Sequence, residues 1–236
     1  MSRTPVRRGS AAADRAEPRA VRTRERVVRA LLDALAETPL EELSVADLCR
    51  RAGVHRVTFY GHWPDIRTLA ADVFAEAVDR LAGVSDEAIA AARTPVDLAA
   101  VYLVALRRQL RELLDRRDTY RVLFSSDVDA GFHRRLTEAL RERAEAAIAH
   151  LARLGVDVPA RASGYPALFV AGGVVTAFHA WAVGEETDVE AAAVGIAAQL
   201  PGWWPRAHTP VNPRAVPAPA SDAPRRPPVP GGETSR

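Results

Sequence analysis

Between Leu48 and Trp63 the chain reads LCRRAGVHRVTFYGHW, and four of these residues, Arg56, Thr58, Tyr60 and His62, carry charged or hydrogen-bonding groups within about two helical turns. A guanidinium can fork onto O6 and N7 of guanine, and hydroxyl or imidazole groups can reach phosphate oxygens. Covalent chemistry finds no comparable cluster. His133, His150, His179 and His208 are too dispersed for a metal-ligand set, no glycine-rich phosphate loop is present, and Cys49 has no base nearby in sequence. The chemistry within reach is recognition. The chain is therefore expected to be no enzyme and to use no metal and no cofactor.

These side chains need elements to hold them. Val27, Val28, Leu31, Leu32 and Leu35 recur at helical spacing, predicting a first helix that Pro39 closes near Glu37 or Thr38. Ser44-Val45-Ala46-Asp47 matches a capping box, so a second helix starts at Val45, and Gly53 ends it because glycine accepts positive φ. A third helix begins near His55. Trp63-Pro64-Asp65 closes it, with Asp65 as N-cap of a fourth helix carrying Ile66, Leu69, Val73, Phe74 and Val78. Two short helices joined by a tight glycine turn make a helix-turn-helix, whose second helix fits a DNA major groove. Val45, Leu48, Ala52, Val54, Val57 and Phe59 are expected to supply the packing.

At 236 residues and 48% hydrophobic content the chain can bury a full core, and its alanine- and leucine-rich text without alternating valine runs predicts an all-α fold. The single cysteine, the lack of an apolar leader and the lack of a run of about 20 apolar residues predict a cytoplasmic protein with no membrane span. Charge is uneven. Residues 1–63 hold 12 arginines against 8 acidic residues, residues 64–200 hold 15 against 20, and residues 201–236 hold 5 against 2. A basic front on an acidic body suits a front that meets a polyanion. All cations are arginine; that favours phosphate and guanine contacts, though a genome-wide codon bias produces the same text.

The stretch Ser44 to Leu69, SVADLCRRAGVHRVTFYGHWPDIRTL, resembles the DNA-binding motif of the TetR family of one-component transcriptional regulators, with a helix over Val21–Glu37 before it. The resemblance rests on Ser44 opening helix two, the turn Ala52-Gly53-Val54, Tyr60 two residues before His62, and Trp63-Pro64-Asp65 opening helix four. It implies DNA contacts from Ser44, His55, Arg56, Val57, Thr58, Tyr60, His62 and Arg67. Where the family usually has Lys just after the helix-four cap, this chain has Ile66, so a phosphate contact is lost or passes to Arg67.

The domains expected are a flexible basic arm over 1–20, a helix-turn-helix domain over 21–82, a helical effector-binding and dimerisation domain over 83–204 and a disordered tail over 205–236, where 10 of the 17 prolines lie from Pro201 onward. In the body, Thr94 to Asp97 caps a helix running to about Leu114, a short helix lies near Tyr120 to Phe124, and Asp129 to Leu154 forms another long one. Ala160 to Val183 follows, with Gly173, Ala177, Ala180 and Gly184 as a face of small residues. Asp188 caps a last helix sharing Val189, Ala193, Ile196 and Leu200 on one side. These eight are the expected interface residues, and the family resemblance implies a homodimer through the last two helices.

A small-molecule effector is expected among the large inward-facing residues Tyr102, Leu106, Phe124, Phe132, Phe169, Phe178 and His179, whose apolar character points to an apolar or aromatic compound. The function expected is a ligand-responsive regulator that binds a palindromic double-stranded DNA operator, a repressor by the family resemblance. The alternatives are an activator of the same fold and a helical interaction or ligand-sensing module that has lost specific DNA binding.

Overall fold

The computed structural model describes residues 10–206, and these form ten α-helices and no strand. They are α1 (Ser10–Leu35), α2 (Val45–Ala52), α3 (Arg56–Tyr60), α4 (Ile66–Ala82), α5 (Asp86–Ala91), α6 (Pro95–Asp115), α7 (Arg117–Leu123), α8 (Ser126–Arg153), α9 (Tyr165–Val183) and α10 (Val189–Ala198).

Local chemistry sets most of the boundaries. Ser44 Oγ accepts the Asp47 amide at 3.1 Å, Asp65 Oδ1 accepts the Thr68 amide at 2.7 Å, and Asp188 Oδ1 accepts the amides of Glu190 and Ala191 at 3.1 and 3.0 Å. Each satisfies a donor that a helix start leaves open. At Thr94 the full reciprocal box forms with Asp97. At Ser44 it does not: the Asp47 carboxylate instead accepts the Ser44 hydroxyl at 2.7 Å and pairs with Arg50.

Three expectations need correction. The backbone is already helical at Ser10, so part of the 1–20 arm belongs to α1, consistent with the alanine-rich text of residues 10–16; residues 1–9 lie outside the described residues. At the other end, Trp204 is buried, and the Arg206 guanidinium donates to the Ala197 and Ala198 carbonyls at 3.3 and 3.4 Å, so the chain stays docked past position 204. The rest of the proline-rich segment, 207–236, lies outside the described residues. Finally, α9 has 19 residues and is apolar enough to cross a membrane by length and composition, contrary to the expectation that no run approaches this. Its buried side packs against α8, α7 and α6.

One core runs from the N-terminal helices into the body. Val27, Leu31, Phe59, Trp63, Leu69 and Phe74 lie in the same buried cluster as Leu110, Tyr120, Phe132, Phe178 and Trp181. Phe132 is its hub, with ring centroids 5.2 Å from Phe124, 6.2 Å from Phe74 and 6.5 Å from Tyr120. Through these rings α8 grips both α4 and α7. A Phe132→Ala variant should lose about 3–5 kcal/mol of stability in chemical denaturation, because three aromatic neighbours face the vacated volume.

Candidate DNA-binding surface and effector region

A five-residue helix cannot hold itself together in water, so α3 has to be fixed by its neighbours. Phe59 is fully buried in the core. Its ring lies 5.8 Å from that of Trp63, whose indole N–H donates to Asp72 Oδ2 on α4 at 2.9 Å. The turn before α3 is set by Gly53 at φ +62°. Its carbonyl accepts the Arg26 guanidinium at 2.9 Å, which ties the turn to α1, and Arg51 at the end of α2 pairs with Glu37 at 2.8 Å.

The anchors leave the rest of α3 facing outward. His55, Arg56, Thr58 and His62 are exposed, Tyr60 is 53% exposed and Val57 85% exposed. Val57 is therefore no packing residue of the turn; it stands with the polar group, where an apolar side chain suits a thymine methyl. Arg67 is exposed one residue into α4, and Ile66 is buried, so its side chain serves the core. Ser44 is exposed, but its hydroxyl hydrogen is donated to Asp47. That bond also holds the Asp47 carboxyl below its ordinary pKa, with the Arg50 pair adding to the effect. Ser44 could donate to a phosphate only by giving up Asp47.

Sequence reading missed the contribution of α1. Arg26 and Arg29 line an open polar cleft with Asp33 and Arg51, beside the turn. The signal was present, since Arg22, Arg26 and Arg29 recur at i, i+4 and i+7, but arginines in a basic front are hard to assign without their neighbours.

The sequence profile of the tetR family of bacterial regulatory proteins matches residues 27–73, which span α1 from Val27 through the helix-turn-helix to the middle of α4. Residues 27–73 therefore carry the DNA-binding domain of tetR-family regulators. Solved structures share the fold of the chain at low identity. A TetR transcriptional regulator from Streptococcus agalactiae is 18% identical with a TM-score of 0.54, covering 80% of this chain and 98% of that one. The fatty acid degradation regulator FadR from Bacillus halodurans is 13% identical with a TM-score of 0.58, covering 75% and 94%. NalD, the secondary repressor of the MexAB-OprM multidrug efflux pump in Pseudomonas aeruginosa, is 17% identical with a TM-score of 0.51, covering 75% and 94%. No curated protein is significantly similar in sequence. The matched segment is a DNA-binding domain of transcriptional regulators, and the helical C-terminal part shares the fold of these solved structures.

Of the seven residues expected at the effector, Tyr102 and Leu106 line a cavity of about 80 Å³ together with Gln109, Arg143, Val174 and Trp204. Burial pushes the Tyr102 hydroxyl up to about 12, so the phenol stays protonated. Phe124, Phe132, Phe178 and His179 are not brought to that cavity. Phe124, Phe132 and Phe178 are buried core, and His179 stacks on Phe124 at 5.2 Å. Phe169 does not face inward at all: it is 70% exposed and borders a groove with Gly173, Ala177, Ile196 and Leu200. Periodicity placed it on a helix but could not tell which side α8 would cover.

Among the expected interface residues, Gly173 and Ala180 are exposed, while Ala177, Val189, Ile196 and Leu200 are half-buried. Ala193 is fully buried, because α10 packs on α6, and it cannot reach a partner. Gly184 lies one residue past the end of α9, so the small-residue stripe has three members on the helix. Among the described residues, no group of three His, Cys, Asp or Glu side chains is placed to hold an ion.

The turn yields a direct test. A Cβ at Gly53 would meet no atom within 4 Å, so Gly53→Ala should cost only the left-handed backbone penalty, about 1 kcal/mol in urea unfolding, with Gly53→Asn costing less.

Proposed function

We propose that two copies of this chain bind a palindromic double-stranded operator through α3, and that a small molecule in the body releases them. The carrying observation is the division of α3 into a buried anchor, Phe59, and an outward set of Arg56, Val57, Thr58, Tyr60 and His62. In this reading Arg56 reads a guanine edge, Val57 packs on a base methyl, and Thr58, Tyr60, His55 and His62 hold the backbone. Arg67 takes the phosphate contact that Ile66 cannot make. Ser44 contributes through its cap, which fixes the start of α2.

Homodimerisation through α9 and α10 is supported by their glycines. A Cβ at Gly172, Gly173 or Gly195 would meet nothing within 4 Å, so no close packing inside the chain requires glycine there. Tyr165, Phe169 and Val183 are exposed along α9, and Val194 on α10, giving an apolar face for a second copy. Two recognition helices held about 34 Å apart would enter successive major grooves, and an effector with different affinity for the two spacings would shift DNA occupancy. From its tetR-type DNA-binding domain we assign the protein to the cytoplasm, repression is the role we assign, and α9 is assigned to the interface rather than to a membrane. Activation from a differently placed operator uses the same contacts.

Fluorescence anisotropy with DNA selected from a random-sequence pool tests the reading. Arg56→Ala should weaken specific binding by about 1–3 kcal/mol and relax preference at one base, and affinity should fall steeply with salt. Equal weak binding to every sequence would sink it. For the interface, Gly173→Glu should shift sedimentation velocity from dimer to monomer while leaving the helical circular dichroism unchanged, since the added side chain meets nothing in its own subunit. A dimer that persists with unchanged affinity would place the interface elsewhere.

A further inference from the structure

The cavity between α6, α8, α9 and the segment after α10 is almost wholly apolar, with Leu106, Leu140, Val174 and Trp204 among its walls. Besides the Tyr102 hydroxyl and Arg143, Gln109 is the exception. At 5% exposure it is the buried polar side chain among the described residues, one turn along α6 from Leu106. Its Nε2 makes one long hydrogen bond, 3.4 Å, to the Gly83 carbonyl, an oxygen that the Arg108 guanidinium also takes. A buried amide served this poorly costs free energy that a leucine at the same place would not. A polar group in the cavity would complete its hydrogen bonds.

The charge around the cavity selects further. Arg143 at its edge is paired with Asp86 at 3.3 Å, and the Tyr102 hydroxyl reaches the Arg143 carbonyl at 3.5 Å. An ionised ligand would therefore enter an apolar space whose lining cation, Arg143, already faces Asp86, at a large desolvation cost. We propose that this cavity is the effector site and that it takes a neutral, mainly apolar molecule whose single hydroxyl or amide group pairs with the Gln109 side chain.

The proposal rests on reading the chain as a ligand-responsive regulator, and it adds how the ligand would be felt. The cavity, about 80 Å³, is smaller than the roughly 150 Å³ apolar cavity that admits benzene, so a ring-sized guest must displace a wall. The wall supplied by the segment after α10 is Trp204, which stands edge-on to Tyr102 at 5.4 Å and whose amide donates to the Pro201 carbonyl at 2.8 Å. The turn this bond closes follows directly on α10. Displacing Trp204 pulls on the helix assigned to the dimer interface.

The test uses three probes of matched shape, 4-ethylphenol, ethylbenzene and 4-ethylbenzoate, titrated calorimetrically into the full chain. The phenol should bind, ethylbenzene should bind about tenfold more weakly or worse, and the benzoate should give no measurable heat. Gln109→Leu should erase the preference for the phenol over ethylbenzene. If that variant loses helicity, Gln109→Asn, which draws the amide back by one methylene, should reduce the preference instead. Trp204→Ala should admit 4-butylphenol more tightly than the parent chain does. Equal affinity for phenol and hydrocarbon, a preference that survives Gln109→Leu, stronger binding of the benzoate, or no binding of any probe would each overturn the assignment. Operator anisotropy on the same preparation separates the two readings. Intact DNA binding with failed probe selectivity removes only the ligand assignment, whereas failure to select any operator removes the regulator reading beneath it.

Discussion

The structure depends on the burial of Phe59 and Trp63. A helix of five residues makes hardly more than one turn of backbone hydrogen bonds and has no stability of its own. Its orientation is supplied from outside, by Phe59 in the core and by the indole of Trp63 bonded to Asp72. Both anchors lie at or just past the C-terminal end of α3; α4 holds Trp63 through Asp72, and α2 packs on α3. This frees the N-terminal residues, from His55 to Thr58, from any packing duty.

Helix α4 is in turn held by the body. On α4, Glu76 pairs with Arg24 of α1, and Arg80 pairs with Glu112 of α6 at 2.8 Å while standing 3.9 Å from Glu76. Glu112 also accepts the Tyr120 hydroxyl of α7 at 3.1 Å and meets Arg116 at 3.3 Å. Surface pairs of this kind are individually weak. Glu112 and Arg80 are well covered, however, and Phe74 of α4 sits against Phe132 of α8 beside them. The order of contacts α1, α4, α6, α7 means that a shift of α6 relative to α8 is felt at once by the helix that carries α3. Packed interiors respond to such shifts by moving whole elements rather than by stretching.

Much of this was legible in the sequence, and the boundary of legibility is physical. Local signals carried their information in a few adjacent residues: Ser44, Asp65, Thr94 and Asp188 all cap helices, and Gly53 takes the positive φ that its place after α2 demanded. The orientation of a short element was less legible. Val57 reads as packing because the apolar text around it is dense, yet α3 is too short for periodicity to fix its angle to α4. The effector region was the least legible part. Phe124, Phe132 and Phe178 are large and apolar, and so belong equally to a pocket or to a core; only the contacts among Phe74, Tyr120, Phe124 and Phe132 decide for the core. Gln109 escaped notice because one polar residue in an amphipathic helix reads as solvent-facing until its neighbours are known.

The same lesson bears on how the two ends of the molecule are joined. From sequence, α9 offers a face of small residues and α10 a face of Val189, Ala193, Ile196 and Leu200, both expected to meet a second chain. In the fold α10 lies mainly on α6, with Ala193 filling the contact and Arg107 paired to Glu190 at 2.5 Å, while α9 lies on α8. What remains between α9 and α10 is a groove bordered by Phe169, Gly173 and Ile196. Because α10 is carried by α6, and α6 holds α4 through Glu112, the proposed interface and the recognition helix are mounted on a common support. A guest against Gln109 would press on that same helix from its third side. Coupling then requires no separate pathway, since one element presents a face to the ligand, a face to α10 and a charge to α4.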